Sequence, residues 1–392
     1  SVNGTVEFKG PQRILKVWGT NYEMGYAHGY LLGDMIKSHL ETLAGGSSYQ
    51  SDLAWANQYC VIYPEYLEEI NGLIAGVMAS GHGYIAALGR NVTAGDIKLM
   101  QEEVEMHDFG CSSFGVWGNT ADTKSIIGRN YDYDVNWSVR QMMMVREPAV
   151  GPKTVSWGWP GCIGIQAGIN QDRIVLTGNE GGGSQYGNGA FYPAIVVMRY
   201  MLEKTTPVNF MTEPLAIVNG VTGVRAINYE VGSPDTVYYI EDAPVNVIRL
   251  ADNPYHIVAT NHQFTSNLGP PWDESVRRYN SIYNGLNNLY STGNHLVDST
   301  EAMGLLRGVE STDPAFTTIS SFIIRPAQLS FDVSISNGVT PAPDIAPLTY
   351  TWDELFGEMP PVAVVDSYIT LRDTGLNIAA PGVLVNDTDA NG

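Results

Sequence analysis

The order of predicted elements points to an α+β protein built as a four-layer αββα sandwich. Three observations carry that prediction. The first 110 residues read as mostly helical, short strand patterns take over from residue 111, and blocks of strands, helices, strands, helices and strands then follow in turn. The 42 glycines and 22 tyrosines favour a turn-rich sheet protein over a helical bundle.

The segment from Tyr22 to Leu43 places Met24, Ala27, Leu31, Met35 and Leu40 near helical spacing, and Gly45-Gly46 stops it. A second helix starts at Pro64, a favoured first helical position, carries Leu67, Ile70, Ile74, Val77 and Met78, and ends at Gly81. A third runs from Thr93 to about Met106. Strands are expected at 112–118, 125–133, 141–148, 154–159, 163–169 and 173–178, with the turn Asn170-Gln171-Asp172 closing a hairpin. Helices follow at 191–204 and 208–219, then strands near 225–231, 236–241, 245–249 and 256–260. Helices at 274–289 and 299–308 precede strands at 317–325 and 328–336.

Prolines 341, 343, 347, 360 and 361 mark a break at about 338–361, and a new texture begins at Val362. The run Asp387-Thr388-Asp389-Ala390-Asn391-Gly392 matches the first half of a calcium loop, but without the distal glutamate the solvated turn is the preferred reading.

With 41 acidic against 21 basic residues the formal charge is −20, a field that repels nucleic acid and anionic membrane surfaces. No stretch approaches the roughly 20 apolar residues needed to span a bilayer. The start, Ser1-Val2-Asn3, reads as if a secretory leader had been removed, so the expected location is extracellular, cell-surface or periplasmic. None of Cys60, Cys111 and Cys162 lies in a Cys-x-x-Cys, which argues against a metal site; Cys60 and Cys162 are left as a pair the sequence neither joins nor separates.

The chemistry concentrates in Gly110-Cys111-Ser112-Ser113-Phe114-Gly115-Val116-Trp117 and in Ile126-Ile127-Gly128-Arg129-Asn130-Tyr131-Asp132. A strand, a turn and a second strand form a hairpin that is expected to bring a guanidinium and a carboxylate beside a thiol. A thiol attacks as thiolate, and its free pKa of about 8.5 must be lowered by a nearby cation. Arg129 supplies a fixed positive charge, and Asp132 is placed to orient and accept protons. Cutting Gly110–Cys111 would free an α-amine with a pKa of roughly 7.7–8.0, able to act as base for its own side chain. Glycine at 110 suits the strained, close backbone approach that self-cleavage needs. The alternative for Cys111 alone is a buried structural cysteine.

These motifs resemble the N-terminal-nucleophile (Ntn) cysteine hydrolases of the acyl-coenzyme A:6-aminopenicillanic acid acyltransferase, choloylglycine hydrolase and acid ceramidase-like type, drawn as an uncut precursor. The resemblance covers roughly 12–356, and includes Tyr22-Glu23-Met24-Gly25-Tyr26-Ala27-His28-Gly29 and Trp159-Pro160-Gly161-Cys162-Ile163-Gly164-Ile165-Gln166-Ala167-Gly168-Ile169-Asn170. It implies the Ntn sandwich, a small-molecule amide or acyl substrate and no cofactor. It divides the chain into a pro-segment or small subunit (1–110), a nucleophile-bearing part (111–357) and a proline-rich linker with tail (358–392). That tail resembles the opening of bacterial Ig-like or cadherin-like repeats. The resemblance further implies autocatalytic cleavage between Gly110 and Cys111, the cut N-terminal fragment being retained as a subunit. It gives Asn261, in Ala259-Thr260-Asn261-His262, an oxyanion role, and asks for a late arginine. The Ser-x-x-Arg spacing from Ser275 selects Arg278; the Arg-Arg pattern of the ceramidase branch selects Arg277.

His262 is rejected as a papain-like base, because Cys111 is followed by a strand pattern rather than the Cys-Gly-Ser-Cys-Trp helix. The glycine-rich loop at 181–189 lacks a phosphate-loop lysine. Tyr186 in that loop, with Trp137 and Trp159, is expected to border the substrate, although aromatic residues in sheets commonly serve the core. The reading is thus a secreted, self-cleaving cysteine amidase or acyltransferase. Its rival is a non-catalytic surface protein on the same fold, which a lost nucleophile or Arg/Asp pair would betray; both are present.

Overall fold

The computed structural model describes residues 2–106, 110–182, 189–242, 245–265, 271–291 and 296–357. The chain opens with a hairpin, β1 (Gly4–Lys9) and β2 (Gln12–Gly19), that the helical reading of the first segment omits. Helices α1 (Asn21–Leu31), α2 (Gly33–Ala44), α3 (Tyr49–Tyr59), α4 (Pro64–Ala79) and α5 (Ala94–Met106) follow, with a small ribbon β3 (Tyr84–Ile85) and β4 (Arg90–Asn91) between the last two. Then come β5 (Gly110–Trp117), β6 (Ser125–Asp134), β7 (Met142–Pro148), β8 (Thr154–Gly158), β9 (Ala167–Asn170) and β10 (Val175–Glu180). After α6 (Ala194–Lys204) and α7 (Glu213–Asn219) run β11 (Ile227–Gly232), β12 (Val237–Glu241), β13 (Val247–Arg249) and β14 (His256–Ala259). The described chain ends with α8 (Asp273–Ser291), α9 (Ser299–Arg307), β15 (Phe316–Arg325), β16 (Ser330–Ile335), β17 (Leu348–Thr351) and α10 (Trp352–Phe356).

Two sheets stack. One has nine strands in the order β1-β2-β7-β8-β9-β10-β11-β12-β13, the other six in the order β14-β5-β6-β15-β16-β17. Their facing sides interdigitate through Ile14, Met143, Trp157 and Val237 from the first and Ile127, Phe322, Phe331 and Tyr350 from the second. Helices α8 and α9 cover the outer face of the six-stranded sheet, packing Ile282, Leu286 and Leu306 on Phe114, Val116 and Ile126. The earlier helices bury Met24, Ile36, Tyr66, Val197 and Met201 with Leu15, Met144 and Leu176 of the nine-stranded sheet. The αββα order is therefore realised as predicted from the element pattern.

The expected single helix from Tyr22 to Leu43 is two, because Leu32 leaves helical geometry (φ −123°, ψ 21°) between them, and Gly33, where a Cβ would lie 2.3 Å from Ser80 Oγ, opens the second. Helix α1 starts on a capping box between Thr20 and Glu23. Gly25 and Gly29 of α1 meet Gly72 and Gly76 of α4 so closely that a Cβ at any of the four would lie 2.0 or 2.1 Å from a backbone oxygen of the other helix. That contact places His28 to accept a hydrogen bond at Nε2 from the Gly161 N–H at 2.9 Å.

The strand β17 and helix α10 fall inside the expected proline-rich break. Trp352 and Leu355 join the inter-sheet core, so the packed part of the described chain continues through α10. The repeat-like tail, its calcium-like loop and Tyr186 lie outside the described residues.

Candidate active site

Strands β5 and β6 pair antiparallel with Gly110 opposite Asp132, Cys111 opposite Tyr131 and Ser113 opposite Arg129. Side chains alternate along a strand. Cys111, Ser113 and Gly115 consequently face the other sheet, where a Cβ on Gly115 would lie 2.6 Å from Val237. Gly110, Ser112 and Phe114 face α8 and α9. Arg129 and Asp132 are three residues apart and so take opposite faces of β6. Only Arg129 shares the thiol's side, which corrects the expectation that both groups stand beside it.

Arg129 Nη2 donates to Cys111 Sγ at 3.3 Å and to the Gly178 carbonyl at 2.6 Å, while Nη1 donates to the Gln166 carbonyl at 3.1 Å. The guanidinium carbon lies 5.1 Å from the Tyr131 ring centroid. Two backbone carbonyls, Gly178 in β10 and Gln166 just ahead of β9, thus aim the cation at the sulfur.

The backbone of Cys111 is held from the other side. The ladder between β14 and β5 ends at Ala259 opposite Ser113, two residues short of Cys111. A buried N–H and C=O left unpaired there would be costly. Side chains complete the rung: the Cys111 N–H donates to Asn261 Oδ1 at 2.9 Å, and Arg278 Nη1 donates to the Cys111 carbonyl. Arg278 also donates to Ser112 Oγ at 2.8 Å and to Asn261 Oδ1 at 2.6 Å. With two donors on Oδ1, the amide of Asn261 has one orientation that satisfies them, and its Nδ2 donates to the Glu180 carbonyl at 3.2 Å. At Cys111, then, Asn261 accepts, whereas an oxyanion role calls for its donor end.

Because alternate residues of an antiparallel strand address opposite neighbours, Gly110 turns its carbonyl toward β6. A Cβ at 110 would come 2.7 Å from Asp132 Oδ2. Gly110 has an ordinary strand conformation without positive φ, so the glycine answers a lack of space and not backbone strain. Asp132 accepts a 2.5 Å hydrogen bond at Oδ1 from Thr318 of β15.

Burial dominates the electrostatics. Desolvation pushes the Cys111 thiol up to about 11, although Arg129 favours the thiolate; Asp132 opposes it. Uncut, this nucleophile is a neutral thiol. The Asp132 carboxyl is also raised by burial, with Arg278 and the Thr318 hydroxyl pulling it down.

The two candidate arginines separate cleanly. Arg278 is buried against Cys111, while Arg277 points outward and pairs with Glu274 at 2.6 Å. Trp137 and Trp159 are buried and meet edge-to-face at 5.1 Å, with Tyr133 and His39 around Trp137. A pocket of about 340 Å³ is lined by residues that include Met35, His39, Asn136, Val139, Arg140 and Pro160, and neither tryptophan lines it. His262 Nδ1 is engaged with Ser275 Oγ at 2.8 Å and Thr260 Oγ1 at 3.2 Å. All three cysteines are free thiols.

Sequence reasoning missed Glu180, whose carbonyl fixes Asn261 and whose carboxylate, paired with Arg225, raises the Cys111 thiol. An acidic residue ending a strand before Gly181-Gly182 was the available signal. Among the described residues no group of three His, Cys, Asp or Glu is arranged to hold a metal ion, and no helix is long and apolar enough to cross a membrane.

The sequence model of the acyl-coenzyme A:6-aminopenicillanic acid acyl-transferase family matches residues 119–338. No curated protein matches the chain. Among solved structures, a conjugated bile acid hydrolase from Clostridium perfringens is similar at 11% identity and a TM-score of 0.44, over 62% of this chain and 97% of that one. An N-acylethanolamine-hydrolyzing acid amidase ortholog from Caenorhabditis elegans is similar at 15% identity and 0.41, over 55% and 93%. A penicillin V acylase from Agrobacterium tumefaciens follows at 12% and 0.40, over 59% and 84%.

Proposed function

The chain belongs to the acyl-coenzyme A:6-aminopenicillanic acid acyl-transferase family, and from that premise we propose that it matures by cutting itself between Gly110 and Cys111 into a secreted cysteine amidase. It is an amide hydrolase or acyltransferase of the N-terminal-nucleophile cysteine type. The observation that carries the finer reading is the 3.3 Å contact between Arg129 and Cys111 Sγ, on a residue whose N–H and carbonyl are separately gripped by Asn261 and Arg278.

In maturation, Cys111 Sγ attacks the Gly110 carbonyl carbon. A C–S bond forms, the Gly110–Cys111 C–N bond breaks, and the thiol proton ends on the departing nitrogen. Asp132, on the other face of β6, contributes by packing against Gly110 and not by taking the thiol proton. Water then hydrolyses the thioester, leaving a Gly110 carboxylate and restoring the thiol. The new α-amine of Cys111 keeps Asn261 Oδ1 as its acceptor.

In turnover, that amine takes the thiol proton while Arg129 stabilises the thiolate. The thiolate attacks the substrate carbonyl, the ammonium returns its proton to the leaving amine, and water or another amine takes the acyl group. Asn261 Nδ2 serves the oxyanion once substrate replaces the Gly110 strand. The cut fragment stays bound as a subunit, supported by fully buried ion pairs between Glu69 of α4 and Arg199 at 2.7 Å and Arg146 at 3.9 Å. Placement outside the cytoplasm belongs to the same proposal and draws on the repeat-like sequence of 362–392.

The test is intact mass of wild type and Cys111→Ala, followed by amine release from a panel of N-acyl amides. Two co-eluting wild-type fragments divided at Gly110–Cys111, an uncut variant and amine release by the wild type alone are expected. Full-length wild type that never cuts and releases no amine overturns the reading.

A further inference from the structure

Between the sheets, on the thiol's side of β5 and β6, stands an acid that the reaction above does not use. Glu230 of β11 is wholly buried, flanked in register by Thr177 of β10 and Tyr239 of β12. Its carboxyl faces the hydroxyls of Tyr239 and Ser113, yet neither oxygen closes a hydrogen bond of good geometry. Those two hydroxyls lie 2.7 Å apart, and Asn179 Nδ2 donates to Ser113 Oγ at 2.7 Å.

Ser113 ties this cluster to the nucleophile. It follows Cys111 by two residues, shares its face of the strand, and stands directly opposite Arg129. Two cations act on Glu230, Arg129 from β6 and Arg249 from β13. Arg249 is already committed to Glu241 at 3.1 Å and to Asp252. Arg129 makes no ion pair among the described residues; the thiol is its only acidic partner at hydrogen-bond distance. A charged Glu230 would therefore compete with the Cys111 thiolate for one guanidinium.

We propose that Glu230 is a positioning residue for Cys111: as the neutral acid it leaves the charge of Arg129 to the thiolate, and its ionisation withdraws that charge. Burial supports this by holding Glu230 protonated to about 8, against the Tyr239 and Ser113 hydroxyls and the two arginines, which pull it down. Tyr239 is itself pushed well above its ordinary value by burial and stays neutral throughout. The substrate reaction enters only through the role given to Cys111 in the proposed function, and thiol titration reads Glu230 whether or not an amide is turned over.

The experiment is the rate of Cys111 alkylation by iodoacetamide between pH 6 and 11, followed by peptide mass. Wild type should rise with pH and then bend toward a shallower slope near pH 8, where Glu230 becomes charged. Glu230→Gln should lose the bend and reach its midpoint about one unit lower, since a nearby negative charge disfavours thiolate. Glu230→Asp should restore the bend. Tyr239→Phe removes a hydroxyl that favours the carboxylate, so it should move the bend to higher pH. Coincident wild-type and Glu230→Gln curves, a midpoint raised by Glu230→Gln, or equal shifts in the Gln and Asp variants each overturn the proposal. If Glu230→Gln fails to fold, a wild-type curve without a bend, or a bend that Tyr239→Phe leaves in place, overturns it alone.

Discussion

Gly110 and Asp132 stand directly opposite each other across the β5–β6 pair, so close that a single methyl group at 110 would press to 2.7 Å from Asp132 Oδ2. Gly110→Ala must move the carboxylate or the strand. Its expected effect is slowed maturation, with full-length chain persisting by intact mass when wild type has cut. A variant that cuts at the wild-type rate would remove this contact from the cleavage step.

Arg129→Ala should raise the midpoint of Cys111 alkylation by about one unit, since an opposite charge within a few ångströms favours thiolate. Arg129→Lys keeps the charge but cannot span the sulfur and the carbonyls of Gln166 and Gly178 together. Its midpoint should fall between those of wild type and the alanine variant. Equal midpoints in all three proteins would show that burial alone sets the thiol.

Asn261→Ala removes an acceptor for the Cys111 N–H and for Arg278, and a donor to the Glu180 carbonyl. Turnover by matured enzyme should drop about 10²–10³-fold, the usual effect of losing one oxyanion donor. Buried groups left unmatched should also lower stability by about 1–3 kcal/mol each. Initial rates alongside urea midpoints separate the two effects; an active, destabilised variant would leave Asn261 a purely structural role.

Buried histidines give a signed pH dependence. Burial holds His28 down to about 3, with Arg146 and Arg199 adding to the effect, and His256 down to about 4; His262 is lowered as well. A depressed value means the stability these groups contribute is present above about 6.5 and lost as pH falls toward the folded values. Glu230, raised to about 8, and Asp242, raised to about 7, act with the opposite sign over part of that range. The difference between wild type and His28→Asn is therefore the quantity to read. The variant should melt several degrees lower at pH 7.5, and the gap should shrink by pH 4.5. A constant gap would mean that the Gly161 N–H to His28 bond does not depend on neutral imidazole.

A chain ending at Gly357 should cut and melt like the full-length protein, because Trp352 and Leu355 close the inter-sheet core and Lys9 reaches Glu354 at 2.7 Å. A chain ending at Pro347 discards β17 and those side chains and should unfold at markedly lower temperature. Lost cleavage in the 357 form would place part of the tail within the enzyme.

Much of this was determined by the sequence itself. Periodicity located α4, α5, α8 and α9 and most strands, because each has a strong apolar face or a clear turn at its end. The parity of 129 and 132 already sets Arg129 and Asp132 on opposite faces of a strand, a reading the residue types alone obscure. The edge strand β1 escaped because half-exposed positions alternate weakly, and β17 because it lies among prolines. Only the tertiary structure decided the rest. The rotation of α8 turns Arg278 inward and Arg277 out, since adjacent helical residues differ by about 100° and only packing fixes which one is buried. The early end of the β14 ladder puts Asn261 Oδ1 on the Cys111 N–H, which no spacing along the chain encodes. The depth of the inter-sheet layer makes desolvation outweigh the Arg129 cation at the thiol and keeps Glu230 neutral beside it. Burial is a property of all the surrounding residues at once, which is why charge at this site could be named from the sequence but its sign of effect could not.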